Sequence, residues 1–169
     1  MEHQEYLRTI SEVAITLTGF MGIVAAIKID VSEWSVQTIA QFSTLLRASI
    51  SASLLAFVPY LLFQFIGDEN LTWRISAALF AVVMATNLFL FLRDSGGNYA
   101  SLIQRLMFLV GPVILAAVLL SVFTEIDSGA MFLVGVTWQI IVGLNNFALL
   151  LISDIRTPEK LAEVNKRAV

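Results

Sequence analysis

Cysteine is absent from the 169 residues, which removes disulfides, thiolate nucleophiles and thiolate metal ligands from consideration. Histidine occurs once, at His3, so a metal site built from several ligands has no imidazole cluster to draw on. Charge is scarce as well: 14% of the residues are Asp, Glu, Lys or Arg, against about 25% in soluble domains. The net charge is only −3 and no basic run occurs, so nucleic acid is not an expected partner. No Pro-, Ser- or Gly-rich linker, internal repeat or low-complexity tract divides the chain. The opening Met1-Glu2-His3-Gln4-Glu5 is acidic where a secretory signal is basic, and no small-x-small cleavage site follows, so the first apolar stretch reads as a retained helix.

What remains is apolar. Hydrophobic residues make up 58% of the chain, against roughly 45–50% in globular domains. A bilayer core about 30 Å thick is crossed by roughly 20 mainly apolar helical residues. Five runs approach that length, at residues 13–29, 46–66, 73–92, 106–123 and 130–152. Polar or turn-forming sequences separate them, among them Gly67-Asp68-Glu69-Asn70, Asp94-Ser95-Gly96-Gly97-Asn98 and Thr124-Glu125-Ile126-Asp127-Ser128-Gly129. The runs are continuous rather than alternating, which excludes the pattern of membrane β-strands. The expected fold is therefore all-α: a polytopic membrane bundle of five transmembrane helices over residues 1–153, with a short cytoplasmic tail at 154–169.

Cytoplasmic loops are enriched in Lys and Arg. Arg8 and Arg74 fall on one side of a five-span topology, and the other eight basic residues fall on the opposite side. This places the N-terminus outside and the C-terminus in the cytoplasm. Residues 31–45 contain neither proline nor glycine and set Gln37, Gln41 and Thr44 at helical spacing beside Trp34, Ile39, Phe42 and Leu46. The second helix is thus expected to extend on the cytoplasmic side, over residues 34–66 and about 50 Å, with its first part packed on another helix or subunit. In the tail, Thr157 and Pro158 have the pattern of an N-cap and first position of a separate short helix.

Ionisable residues deep in a membrane are costly and usually functional. The interiors of the five runs carry none, Lys28 and Arg47 lying near run ends. This argues against proton-coupled transport, haem ligation and intramembrane hydrolysis. A lipid-modifying enzyme would have only the loop acids to use, Glu125 with Asp127 or Asp68 with Glu69, with no accompanying base or nucleophile.

Uncharged polar residues are nevertheless patterned. Gly135, Gln139, Gly143 and Asn146 share one helical face of the fifth run, flanked by Asn145. Ser76, Phe80 and Asn87 share a face of the third, with Asn87 and Asn146 at similar depth. Two readings stay open: interhelical hydrogen bonds that hold the bundle, or a polar path with Arg47 and Arg105 at its cytoplasmic mouth. Small residues form further faces: Thr18, Gly19, Gly22, Ala25 and Ala26 in the first run, and Ala48, Ala52 and Ala56 beside Ser49 and Ser53 in the second. Such faces allow close backbone approach. Pro59 and Gly111-Pro112 are expected to bend their helices, and Trp73, Tyr99 and Tyr6 to lie in an interfacial aromatic belt.

The sequences Gly19-Phe20-Met21-Gly22-Ile23, Leu45-Leu46-Arg47-Ala48-Ser49 with Ala56-Phe57-Val58-Pro59, and Trp73-Arg74 resemble those of small bacterial inner-membrane proteins with about five transmembrane helices and no assigned activity. The resemblance covers about the first half of the chain and implies a bacterial inner-membrane location. The expected function is that of a non-enzymatic membrane protein without cofactor or metal. It would act through helix contacts, in the lipid bilayer, as a homo-oligomer or with another membrane subunit. The alternative is an oligomeric channel for ions or small solutes.

Overall fold

The structure, a computed structural model, describes the backbone of residues 4–27, 36–95 and 102–167 and the side chains of 5–20, 22–23, 38–93, 106–107 and 109–151. It is all-α, with α1 at Gln4–Ile27, α2 at Val36–Ile66, α3 at Glu69–Ser95, α4 at Leu102–Phe123 and α5 at Ser128–Arg167. His3, Lys28, Trp34 and Tyr99 lie outside the described residues, as do the side chains of Ala25, Ala26, Gln37 and Arg105.

Three of these helices contain described segments long and apolar enough to cross a membrane: Thr38–Ile66, Glu69–Arg93 and Ser128–Leu151. On this measure the expectation of five spans is corrected to three. The apolar described part of α4 is only Leu109–Phe123. The first half of α1 carries Glu5, Arg8 and Glu12, the last two joined by a 3.0 Å ion pair exposed on the helix surface. Large apolar side chains face outward on every helix, for example Ile15, Leu54, Val82, Val113 and Val134. Apolar exposure on this scale is foreign to soluble monomers and natural for a bundle in lipid.

The bundle is organised around α5, which packs against each of the other four helices. The others follow one another around it, α1 against α2, α2 against α3 and α3 against α4. Among the described residues no contact joins α4 back to α1, so the ring has one gap.

Local sequence explains the connections at one end. Gly67 has φ +70°, the left-handed conformation that only glycine adopts cheaply, and its N–H bonds Phe63 O at 2.9 Å to close α2. Asp68 then caps α3, its Oδ1 accepting from Leu71 N at 3.0 Å. Asp127 caps α5 in the same way, accepting from Gly129 N at 2.8 Å and Ala130 N at 3.2 Å. Two of the loop acids weighed as catalytic carboxylates are thus helix caps.

The small-residue face of α2 is used inside the chain. Ala48, Ala52 and Ala56 are all buried, and Gly143 of α5 lies against Leu45, Ser49 and Leu17. The first part of α2 also packs within the chain, where Leu45 and Leu150 form a buried cluster with Phe42, Leu46 and Phe147. Gly19 and Gly22 differ: among the described residues no atom lies within 4 Å of where a Cβ would stand.

Two expectations fail here. α5 does not break at Thr157-Pro158 but runs unbroken through Arg167. Strong helix formers follow the proline, and one lost backbone bond does not stop them. Trp73 is not an interfacial belt residue: it is buried, 5.9 Å from the Phe132 ring and against Gly129, because α3 turns it toward α5 rather than toward lipid. Pro59 and Pro112 lie within helices that continue through them.

Candidate functional site

Toward the end of the bundle where α2 begins and α3 ends, α2, α3, α4 and α5 enclose a partly open cavity of about 100 Å³. Its polar wall comes from α2 and α5, with Thr44, Arg47, Gln139, Asn145 and Asn146, and is completed by Asn87 of α3. The rest of its lining is largely apolar, with Met84, Leu88 and Phe91 of α3, Met107 of α4 and Trp138 of α5. The polar residues singled out in the sequence, Arg47, Asn87, Gln139, Asn145 and Asn146, therefore meet at one place. Helical periodicity accounts for it: residues 135, 139, 143 and 146 share the face of α5 that turns inward, and all four are buried.

A short relay orders the polar wall. Asn87 Nδ2 donates to Ser51 Oγ at 3.3 Å, and the single Ser51 hydroxyl proton is shared between Arg47 O at 2.7 Å and Gln139 Oε1 at 2.8 Å. Asn87 and Asn146 thus do not bond each other. Asn146 Nδ2 instead donates to Val142 O of its own helix at 2.8 Å. Arg47 is steadied by its own helix, with Nε donating to Ser43 O at 3.3 Å. Ser51 is the residue the sequence did not single out. It lies one turn beyond Arg47, and only the packing of three helices shows that it links α3 to α5.

This network is incomplete. Thr44 Oγ1, Gln139 Nε2, Asn145 Nδ2 and Asn146 Oδ1 are buried and meet no hydrogen-bond partner among the described residues. Each belongs to a residue lining the cavity. A buried, unsatisfied donor or acceptor costs about 1–3 kcal/mol, so four around one void is a poor design for helix glue. The four atoms themselves are sealed in the packing beside the cavity, so the polarity they add lies within its wall.

Toward the 67–68 and 124–127 loops the described residues pack closely. Beyond Met84 and Trp138 the core is solid, with Phe80, Phe132, Val118 and Val136 at most 1% exposed. Phe80 and Phe132 meet edge-to-face with centroids 5.9 Å apart. The backbone of Gly135 lies directly beneath the Phe80 ring, where a Cβ would stand 2.4 Å from Cε1. Gln139 and Asn146 are 5% and 4% exposed, so they present their amides to the interior of one chain and not to a surface between copies.

Comparison with known proteins leaves this geometry to speak for itself. No family model matches the chain, and no curated protein or solved structure is detectably similar to it.

Proposed function

We propose that this chain is a non-enzymatic, multi-pass membrane protein whose bundle holds a small polar solute in a one-sided site between α2, α3, α4 and α5. The supporting observation is the gathering of Thr44, Arg47, Asn87, Gln139, Asn145 and Asn146 around one partly open cavity. The solid aromatic packing beyond it favours a site that is reached from one side, not a permanent pore. The two-against-eight distribution of Lys and Arg across a five-helix arrangement favours the N-terminus outside and the C-terminus and cavity on the cytoplasmic side, and the resemblance to small bacterial inner-membrane proteins favours that membrane.

A second reading, action through helix contacts with another copy or subunit, is favoured by one feature. Gly19 and Gly22 leave a small, open face on α1.

Because the chain has no cysteine, a single introduced thiol reports accessibility without background. In oriented membrane vesicles, Met107→Cys on the cavity wall should react with a membrane-impermeant thiol reagent from the cytoplasmic side only. Ser76→Cys, in the sealed core, should stay unreacted from both. If Met107→Cys also resists labelling from both sides, the solute-site reading is wrong.

A further inference from the structure

Among the described residues, no charged side chain is exposed in the middle of α2, α3, α4 or α5. α1 breaks this pattern. Its outward face carries Glu5, Arg8 and Glu12, and the side chains of the 3.0 Å Arg8–Glu12 pair are 82% and 64% exposed. Contacts with α5 fix the depth of that pair. Tyr6 Oη lies 3.4 Å from Thr137 Oγ1, Leu17 lies against Gly143, and the Phe20 and Phe147 rings meet with centroids 6.0 Å apart. All three α5 residues belong to the segment Ser128–Leu151, which is long and apolar enough to cross a membrane. Glu12 falls between Tyr6 and Leu17, so it stands level with residues 137–143, near the middle of that segment. Charges facing lipid at such depth are costly, and in membrane proteins they face a protein interior or pair with one another. The outward ion pair therefore calls for a cover, and no other helix supplies one among the described residues.

The rest of the face identifies the cover. Exposed positions on α1 repeat every seven residues, at 5, 6, 8 and 9, then 12, 13, 15 and 16, then 19, 20, 22 and 23. These are the positions with which a helix packs along a parallel partner helix. The central seam, with alternating steps of four and three, is Glu5, Thr9, Glu12, Thr16, Gly19 and Ile23. Thr9 and Thr16 return their hydroxyls to Glu5 O at 3.1 Å and Glu12 O at 2.8 Å, so they pack without seeking another acceptor. A Cβ at Gly19 would meet no described atom within 4 Å, which leaves room for a neighbouring backbone. Charge points to the chain itself as the neighbour, because the face holds both signs in one register. A guanidinium has several N–H donors, and Arg8 uses the one on Nε for its own Glu12, so the others can reach Glu12 of a second copy.

We infer that α1 is the contact between two copies of this chain, packed in parallel along this seam, with the two Arg8–Glu12 pairs joined in one neutral cluster. Copies inserted in one bilayer share an orientation, so the two-fold axis is normal to the membrane and like residues face each other. The inference rests on the second reading above, contact with another copy, and names the face that makes it.

The full-length chain carries the test, helped by its lack of cysteine. Under mild oxidation in lipid vesicles, Thr16→Cys should form disulfide-linked dimers about tenfold faster than Val82→Cys on α3 or Val113→Cys on α4, which are exposed to lipid. Particle mass on dilution in detergent then reports dimerisation without any thiol. Gly19→Leu should weaken it about tenfold, whereas Gly19→Ala, still small, should not. Arg8→Gln should weaken it about tenfold by leaving two carboxylates face to face, and adding Glu12→Gln should restore it. Helix content should stay at the wild-type value in every variant. Rapid coupling of Val82→Cys or Val113→Cys with none of Thr16→Cys overturns the α1 seam while leaving contact between copies. Undiminished dimerisation of Arg8→Gln and Gly19→Leu also overturns the seam. A wild-type particle with the mass of one chain, and no coupling at any of the three positions, removes the contact between copies and the seam with it.

Discussion

The contact between Gly135 and Phe80 makes the sharpest test of how the bundle is closed. A methyl group added at Gly135 would lie 2.4 Å from Phe80 Cε1 and 2.5 Å from Cζ, and no Cβ tolerates such contacts. Phe80 is fully buried and held edge-on by Phe132, so its ring has little room to retreat. Forcing an extra methyl into a packed core costs about 1–3 kcal/mol, and the rigid neighbour argues for the upper half of that range. Replacing glycine by alanine within a helix returns about 1 kcal/mol. The clash therefore wins, and Gly135→Ala should be destabilised by about 1–2 kcal/mol. For a chain of this size that corresponds to a fall in melting temperature of roughly 2–8 °C. The measurement is thermal unfolding in detergent, followed by intrinsic fluorescence or by loss of the monodisperse peak. Two controls isolate the cause. Gly19→Ala makes the same chemical change with nothing within 4 Å and should melt at or above the wild-type temperature. Phe80→Leu combined with Gly135→Ala should be less destabilised than the two single changes added together. A Gly135→Ala protein as stable as wild type would refute the close packing of α3 on α5.

Two further outcomes are expected. Ser51→Ala removes the bridge between Asn87 and Gln139 and should lower stability by about 1–2 kcal/mol in the same melts, in the range of membrane interhelical hydrogen bonds; it should also change the labelling rate of Met107→Cys, because Gln139 loses the bond that orients it. Asp127→Ala strips the cap from α5 and should cost about 1 kcal/mol in thermal unfolding while leaving cavity labelling unchanged, since the cap lies at the other end of the bundle.

The sequence made the helices legible because lipid imposes long apolar runs and because Gly67, Asp68 and Asp127 are turn and cap residues in any context. It also made the inward face of α5 legible, since residues 135, 139, 143 and 146 can share a side only on a helix. What it left hidden depends on neighbours distant in sequence. Ser51 is ordinary until α3 and α5 approach it from both sides. Trp73 has the composition of a belt residue, and only the rotation of α3 turns it into the core. Of the five runs, those at 46–66, 73–92 and 130–152 lie in described segments long and apolar enough to cross a membrane, while those at 13–29 and 106–123 fall partly outside the described side chains. Pro158 misled for a local reason: a proline marks a helix start well only where the sequence before it does not already carry helix.

That α5 touches every other helix has a consequence for assembly. It is the fifth of the five to leave the ribosome, yet it occupies the centre. The four helices made before it must wait as an unfilled cradle, with Ser51, Asn87 and the seat for Gly135 turned to an empty middle. The newcomer is also a reluctant guest in lipid. Its candidate segment has a mean hydropathy of 1.6, against 2.3 for that of α3, because Gln139, Asn145 and Asn146 interrupt it. The polar side chains that lower its hydropathy are the ones that line the cavity, so formation of the cavity and completion of the bundle coincide.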